Sequence, residues 1–411
     1  MKKQMWLSQG LLKNDMKKIL SIVFILRFTN LAFGQMNIVD SIVHQTYQRK
    51  FTVHTPPGYN NNAPLPVLLM LHGGGGTMVN SQNFTNLNNV SNANGFLAAY
   101  PEGYGIVPTG GFSWADGRGT SADLAGIDDL GFIDKLLDSL LANYSIDANK
   151  IYICGFSNGG FMTQRFACQQ NQRFAAMASL GSIMDTSLFA NCNPQRAIPM
   201  MFVLGTDDPF VPFNGGTMQG SGLTTEIVSG DTLVNFWRIN NNCIQSSPPL
   251  DLPDIVQSDS STVTLFNYSI CSCNSDVKFY RINGGGHTWP GVEIPLYEVI
   301  AGQTNEDIQA SVEMWNFFNA HSLCNSGVGV TENEKINSTT FYPNPTSDIL
   351  FINQVNNNFI QYQITNSTGK LLLQDSFIDN GINISNLTNG FYFIRFTNDK
   401  NETAYYKFVK Q

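Results

Sequence analysis

Across residues 35–324 short apolar runs alternate with stretches of helical periodicity. Residues 50–55 (KFTVHT) alternate with the strand period of two. Residues 66–71 (PVLLML) and 95–100 are nearly continuous apolar runs, the pattern of strands buried on both faces. Residues 150–154, 200–204 and 277–282 read as further strands. Between them, residues 128–141 place acids first and then Leu130, Ile133, Leu136, Leu137, Leu140 and Leu141 at helical spacing. Residues 160–168, 232–240 and 305–321 read as helices, the last with Ile308, Val312, Trp315 and Phe318 on one face. This alternation predicts an α/β fold, a mostly parallel sheet flanked by helices, over residues 35–324.

The pattern changes beyond Cys324. Asn325-Ser326-Gly327-Val328-Gly329 opens a linker over residues 325–335. From 336 to 411, β-rich runs such as Ile349-Leu350-Phe351-Ile352 and Leu371-Leu372-Leu373 are separated by Pro343-Asn344-Pro345, Thr368-Gly369-Lys370 and Thr388-Asn389-Gly390. That spacing predicts a small all-β sandwich. At the other end, Lys17 and Lys18 precede the apolar run 19–26, and Ala32-Phe33-Gly34 sets small residues before Gln35. These are the parts of a signal peptide over residues 1–34, with Met16 as its natural start. The run is too short for a stable membrane span.

Composition narrows the chemistry. The 411-residue chain is 13% charged with net charge −8; residues 1–34 hold six Lys/Arg and one acid, so their removal takes the charge to −13. No basic run remains to neutralise phosphates, which excludes nucleic acid as a partner. The surface field also disfavours a strongly anionic substrate. Export places the seven cysteines where disulfides form, and an odd count leaves a free thiol. Cys154, inside an apolar strand, is the expected spectator; Cys168–Cys192 and Cys243 with Cys271 or Cys273 are the expected bridges.

The strongest chemical signal is Gly155-Phe156-Ser157-Asn158-Gly159-Gly160, between an apolar strand and a helix. This is the context of the G-x-S-x-G nucleophile elbow, in which a sharp turn lifts the serine hydroxyl clear of the sheet. A base for Ser157 must come from five histidines: His44, His54, His72, His287 and His321. His287, in Gly284-Gly285-Gly286-His287-Thr288-Trp289-Pro290-Gly291, follows a strand and lies C-terminal to the serine, as the order Ser…Asp/Glu…His requires. The acid belongs between them, after strand 200–204, in Gly205-Thr206-Asp207-Asp208-Pro209. Either aspartate suits; Asp208, directly before proline, is preferred, with Asp207 as a turn cap. Backbone N–H of Asn158 and of Gly74, with Gly73 as its neighbouring alternative, are the expected oxyanion donors, since glycines let bare backbone approach a substrate. Trp114 and Trp289 are expected to contact substrate as an aromatic wall. Asp128 and Asp129 read as helix caps. The reaction so outlined needs no cofactor and no metal.

Two resemblances follow from these residues. The tail pieces Phe341-Tyr342-Pro343-Asn344-Pro345-Thr346, Ile364 to Lys370, Ile384 to Tyr392 and the lysine-bearing end Tyr406-Lys407-Phe408-Val409-Lys410 resemble the type A C-terminal sorting domain of the type IX secretion system. That implies the secretion machinery as a partner and an extracellular or cell-surface location. Leu71-His72-Gly73, Tyr100-Pro101-Glu102-Gly103, Trp114, Asp128 to Phe132, Gly155 to Gly160, Gly205 to Pro212 and Gly286 to Gly291 resemble secreted α/β-hydrolases of the polyhydroxybutyrate depolymerase and feruloyl/acetylxylan esterase group. The resemblance implies a serine carboxylic-ester hydrolase with the triad Ser157, Asp208 and His287. It further implies an ester of plant polysaccharide or a hydroxyalkanoate as the substrate. The alternatives are a serine peptidase of the prolyl-oligopeptidase type and a non-catalytic binder on a hydrolase scaffold.

Overall fold

The computed structural model describes residues 34, 36–105, 111–220, 223–324, 340–343, 345–353, 359–366, 371–376, 381–398 and 403–411. The expected leader (apart from Gly34), the linker 325–335, Asn344 and residues 367–370 lie outside the described residues. Chain contacts divide into one unit up to Cys324 and a second from Asn325.

The first unit carries strands β1 (Met36–His44), β2 (Tyr47–Thr55), β3 (Leu65–Leu71), β4 (Leu97–Pro101), β5 (Ile146–Phe156), β6 (Ala176–Leu180), β7 (Met200–Gly205), β8 (Gly216–Gly220), β9 (Leu223–Ile227), β10 (Gln245–Ser246), β11 (Leu250–Asp251), β12 (Thr262–Ser269) and β13 (Val277–Asn283). Its helices are α1 (Met78–Thr85), α2 (Leu87–Asn94), α3 (Ser121–Leu124), α4 (Asp129–Asn143), α5 (Asn158–Gln169), α6 (Thr186–Asn191), α7 (Gly230–Asn240), α8 (Pro295–Ala301) and α9 (Ala310–Asn319). The main sheet runs β1-β2-β4-β3-β5-β6-β7-β13-β12-β10, with β11 also on β12. Its middle, β4 through β13, is parallel; β1, β2 and β12 are antiparallel margins.

Alternation along the central strands builds two cores. Leu69, Leu71, Ile151 and Ile153 face one side with Phe132, Ile133 and Leu136 of α4 and Phe161, Met162 and Phe166 of α5. Leu68, Met70, Tyr152 and Cys154 face the other with Leu87 and Val90 of α2 and Met314, Trp315 and Phe318 of α9. Phe96 stacks on Trp315 at 4.0 Å and Tyr152 on Phe318 at 4.9 Å. Burial on both faces is why these strands read as continuous apolar runs.

The expected helix over 305–321 begins only at Ala310. Residues 305–309 are tied across to another loop instead: Asp307 Oδ1 accepts the N–H groups of Ile255 and Val256, and Asn305 donates to Ser261. Within the helix Met314, Trp315, Phe317 and Phe318 are buried, and Val312 is exposed rather than in the expected apolar face. Disulfides join Cys168–Cys192, Cys243–Cys271 and Cys273–Cys324, with Cys154 free and buried.

The second unit packs a three-stranded sheet (Thr340–Tyr342, Ile349–Asn353, Gly381–Asn383) and a four-stranded sheet (Phe359–Asn366, Leu371–Ser376, Gly390–Asn398, Thr403–Lys410). Leu350, Ile352 and Ile382 of the first share one core with Ile364, Ile394, Phe396 and Phe408 of the second, which makes it a small β-sandwich.

Candidate active site

Strand β5 ends at Phe156 and α5 begins at Asn158, so Ser157 alone makes the turn. It sits at φ 53°, ψ −121°, a left-handed backbone that a non-glycine residue holds only under constraint from its surroundings. Its neighbours supply that constraint. A Cβ on Gly155 would overlap the Gly159 carbonyl, and a Cβ on Gly159 would overlap the carbonyls of Leu71 and His72. The Ser157 N–H donates to Leu180 O at the end of β6 (2.9 Å).

Two further groups arrive from the ends of β7 and β13. His287 Nδ1 lies 2.6 Å from Asp208 Oδ2, both side chains buried. The other carboxylate oxygen of Asp208 accepts Phe210 N–H (2.8 Å) and Val211 N–H (2.7 Å). Three donors on one carboxylate fix it as an acceptor and assign the Nδ1 proton to His287. Asp207 is elsewhere: its N–H donates to Gly285 O, and its carboxylate accepts Thr206 Oγ1. The imidazole rests on Phe156, with ring centroids 4.8 Å apart, and on Gly181, directly after the Leu180 that holds Ser157. Ser157, after β5, and His287, after β13, therefore stand at the same carboxyl edge of the parallel sheet with β6 and β7 between their strands, although no hydrogen bond joins them in this structure. Such a bond commonly tightens only when substrate is bound.

The loop after β3 closes the site from a third side. Gly73 and Gly74 pack beside Ser157 and Asn158. The Asn158 N–H, at the first turn of α5, has no helical partner of its own. Its side chain is engaged below: Oδ1 accepts Trp114 N–H (2.8 Å), and Nδ2 donates to Asp116 Oδ2 (2.6 Å). Burial raises the Asp116 pKa against the opposing Arg118 guanidinium, which binds the same carboxylate at 2.6 Å. Asp129 is not a cap as expected. It lies buried, pairs with Arg49 (2.6 Å) and accepts Ala115 N–H (2.7 Å), fixing the loop that carries Trp114; Asp128 does cap α4, through Gly131 N–H.

The expected aromatic wall is corrected. Trp114 and Trp289 are both 0% exposed, so neither can touch a substrate. Their indole N–H groups are spent inside, Trp114 on His72 O (2.9 Å) and Trp289 on Ser311 Oγ (3.2 Å). A 580 Å³ cavity opens beside Ser157 instead, lined by Gly73 to Gly76, Asn80, Phe84, Phe156, Glu293, Ile294 and Tyr297. Phe84 bridges Phe156 (4.9 Å) and Tyr297 (6.0 Å, edge-on). Burial, with Asp208 nearby, pushes the Tyr297 hydroxyl up to about 12, so it stays protonated. Phe84, Glu293 and Tyr297 escaped sequence reading: they lie on α1 and at the head of α8, outside any chemical motif. Of the other histidines, His44 bonds Asp128, His54 lies between Asn37 and Asn92, and His321 is buried beside Phe317.

The parallel sheet, the strained serine at its strand–helix turn and the imidazole–carboxylate pair beyond later strands give the first unit an α/β-hydrolase fold. Residues 60–235 match the family model described as Phospholipase/Carboxylesterase, and residues 340–411 match the Secretion system C-terminal sorting domain. The bifunctional acetylxylan esterase/xylanase XynS20E of Neocallimastix patriciarum is 25% identical over 284 residues, covering 69% of this chain and 36% of that one. Feruloyl esterase C of Emericella nidulans is 25% identical over 256 residues, covering 61% and 81%. The solved acetyl xylan esterase from Aspergillus awamori aligns at 16% identity over 65% of this chain and 97% of that one, with TM-score 0.42. The protein is a carboxylic ester hydrolase of the serine-esterase type, and its sorting domain marks it for the extracellular or cell-surface space. Among the described residues no helix is long and apolar enough to cross a membrane.

Proposed function

We propose that the first unit, residues 35–324, hydrolyses hydroxycinnamoyl esters of plant polysaccharide through an acyl-enzyme on Ser157, and that the tail engages the type IX secretion machinery. The observation that carries the site is the 2.6 Å Asp208–His287 bond beside a serine held at positive φ. Asp208 holds the proton on Nδ1, leaving Nε2 as the base that takes the Ser157 proton on attack at the ester carbonyl. The N–H groups of Asn158 and Gly74 face the developing oxyanion, each such donor contributing about 3 kcal/mol. His287 then protonates the departing alcohol, and water repeats the sequence to release the acid.

The acyl class follows from the cavity. A volume of 580 Å³ with Phe84, Phe156 and Tyr297 on its sides suits a flat aromatic acid rather than acetyl, which would leave most of it wet. The relative named for feruloyl esters supports the same acyl class, while the one named for acetylxylan supports only an ester of plant polysaccharide. A hydroxyalkanoate polymer is the second reading, favoured by Leu296, Val299 and Ile300, which α8 exposes next to Tyr297. Hydrolysis rates on methyl ferulate, acetylated xylan and hydroxybutyrate oligomers test the assignment. The proposal requires methyl ferulate to give the highest kcat/KM; a higher value on either of the others overturns it.

A further inference from the structure

We infer that His72, a residue outside the triad, is a positioning residue: its imidazole locks the Gly73–Gly74 peptide so that the Gly74 N–H faces the reacting oxygen. The inference rests on the proposed role of Gly74 and extends it.

Both ring nitrogens of His72 are committed. Nε2 lies 2.9 Å from Gly103 N, a group that can only donate, so Nε2 accepts. The ring proton is therefore on Nδ1, which lies 2.7 Å from Gly73 O and donates to it. The imidazole is neutral in this arrangement, and burial agrees, lowering its pKa to about 4. The same Gly73 oxygen also accepts the Gly76 N–H at 3.0 Å. A trans peptide points its carbonyl and the following N–H in opposite directions. With Gly73 O pinned toward the buried ring, the Gly74 N–H is turned the other way, to the side where Gly73 and Gly74 line the cavity beside Ser157.

The lock has a physical need. Glycines at 73, 74, 75 and 76 give the loop little intrinsic preference, and a peptide between two glycines rotates at small cost. A flipped Gly73–Gly74 peptide would present a carbonyl oxygen to an oxyanion. His72 is itself held. Its carbonyl accepts the Trp114 indole N–H (2.9 Å), and its ring packs on Trp114 with centroids 5.0 Å apart. The buried tryptophan thus serves the site from beneath, through the backbone of the loop.

Two substitutions separate orientation from packing. His72→Asn retains a donor close to Nδ1, aimed at Gly73 O, and loses the acceptor for Gly103. His72→Gln retains an acceptor near Nε2 and loses the donor. Both are assayed for kcat and KM on p-nitrophenyl acetate and for inhibition by a phenylboronic acid, which forms a tetrahedral adduct. The expected result is a fall in kcat of about 100-fold for His72→Gln, the loss seen when one oxyanion donor is removed, with KM within threefold. Boronate inhibition weakens in parallel, and His72→Asn stays within tenfold of wild type. Equal losses in both variants, or wild-type kcat in His72→Gln, overturn the inference. Should neither variant fold, Trp114→Phe removes the indole donor to His72 and keeps an aromatic ring; kcat must fall with KM unchanged, and an unchanged kcat overturns the lock. Ser157→Ala run beside them distinguishes the levels: if it retains activity, the proposed reaction fails, whereas inactivity there with an unaffected His72→Gln rejects only the lock.

Discussion

Replacing Asp208 by Asn tests the imidazole's tautomer directly. Asp208 Oδ1 accepts two backbone N–H groups, from Phe210 and Val211, while Oδ2 takes the Nδ1 proton of His287. An asparagine in the same pose keeps its oxygen on the two N–H groups, because its NH2 cannot accept them. Its Nδ2 then faces His287 Nδ1 as a donor and forces that nitrogen to accept. The ring proton moves to Nε2, the atom that must be bare to activate Ser157. The geometry is retained and the base is lost, a change that costs about 10⁴ in kcat, or about 5.5 kcal/mol of transition-state stabilisation. Asp207→Asn, whose carboxylate meets only Thr206, leaves kcat within threefold. Initial rates on p-nitrophenyl acetate, with circular dichroism to establish folding, measure both. A folded Asp208→Asn enzyme within tenfold of wild type, or an equal loss in Asp207→Asn, would show that Asp208 does not set the imidazole tautomer.

Three further outcomes are expected. His72 and His321 both have folded pKa values lowered to about 4 by burial, from 6.5. As pH falls the unfolded chain takes up protons first, so their stabilising effect is complete above 6.5 and is lost toward 4. The two together cost about 2.5 kcal/mol between pH 7 and 5.5, read as a lower urea midpoint by tryptophan fluorescence; an unchanged midpoint contradicts this. Breaking Cys273–Cys324, 51 residues apart, by substituting both with serine lowers stability by up to about 4 kcal/mol through the freer unfolded chain, measured in the same titration; an unshifted midpoint tells against it. Glu293→Gln removes a carboxylate from the cavity mouth and raises kcat/KM for an anionic ester over a neutral one by about two- to fivefold at low salt, the gain vanishing in 0.5 M NaCl. No salt-sensitive difference would remove Glu293 from substrate selection.

Much of the fold was legible because the central strands are buried on both faces. Strands β3, β5, β7 and β13 announce themselves as apolar runs, and α4 by its leucine spacing. Strand β6 (AMASL) did not, since alanine and serine carry little strand preference; its place is set by pairing with β5 and β7. Helix α1 lacks an apolar stripe, and α2 is asparagine-rich with only Leu87 and Val90 as large buried apolar residues, so neither reads clearly as a helix from sequence. The positions of Ser157, Asp208 and His287 were legible because each sits in a short motif at a strand end. The roles of His72 and Trp114 were not, because their partners are backbone atoms of Gly73, Gly103 and His72 that no side-chain pattern encodes. The two tryptophans were misplaced for a related reason: a motif shows that a residue is near the site, not on which side of the backbone its ring lies.

In the proposed reaction the hydroxyl of Ser157 is the nucleophile. Incubating the full chain with a fluorophosphonate and mapping the adduct by peptide mass spectrometry tests it most directly. One phosphonyl group per chain is expected, on Ser157, formed in step with loss of esterase activity, strongly slowed in Asp208→Asn and absent in Ser157→Ala. An adduct on another residue, or full inactivation with Ser157 unmodified, contradicts it.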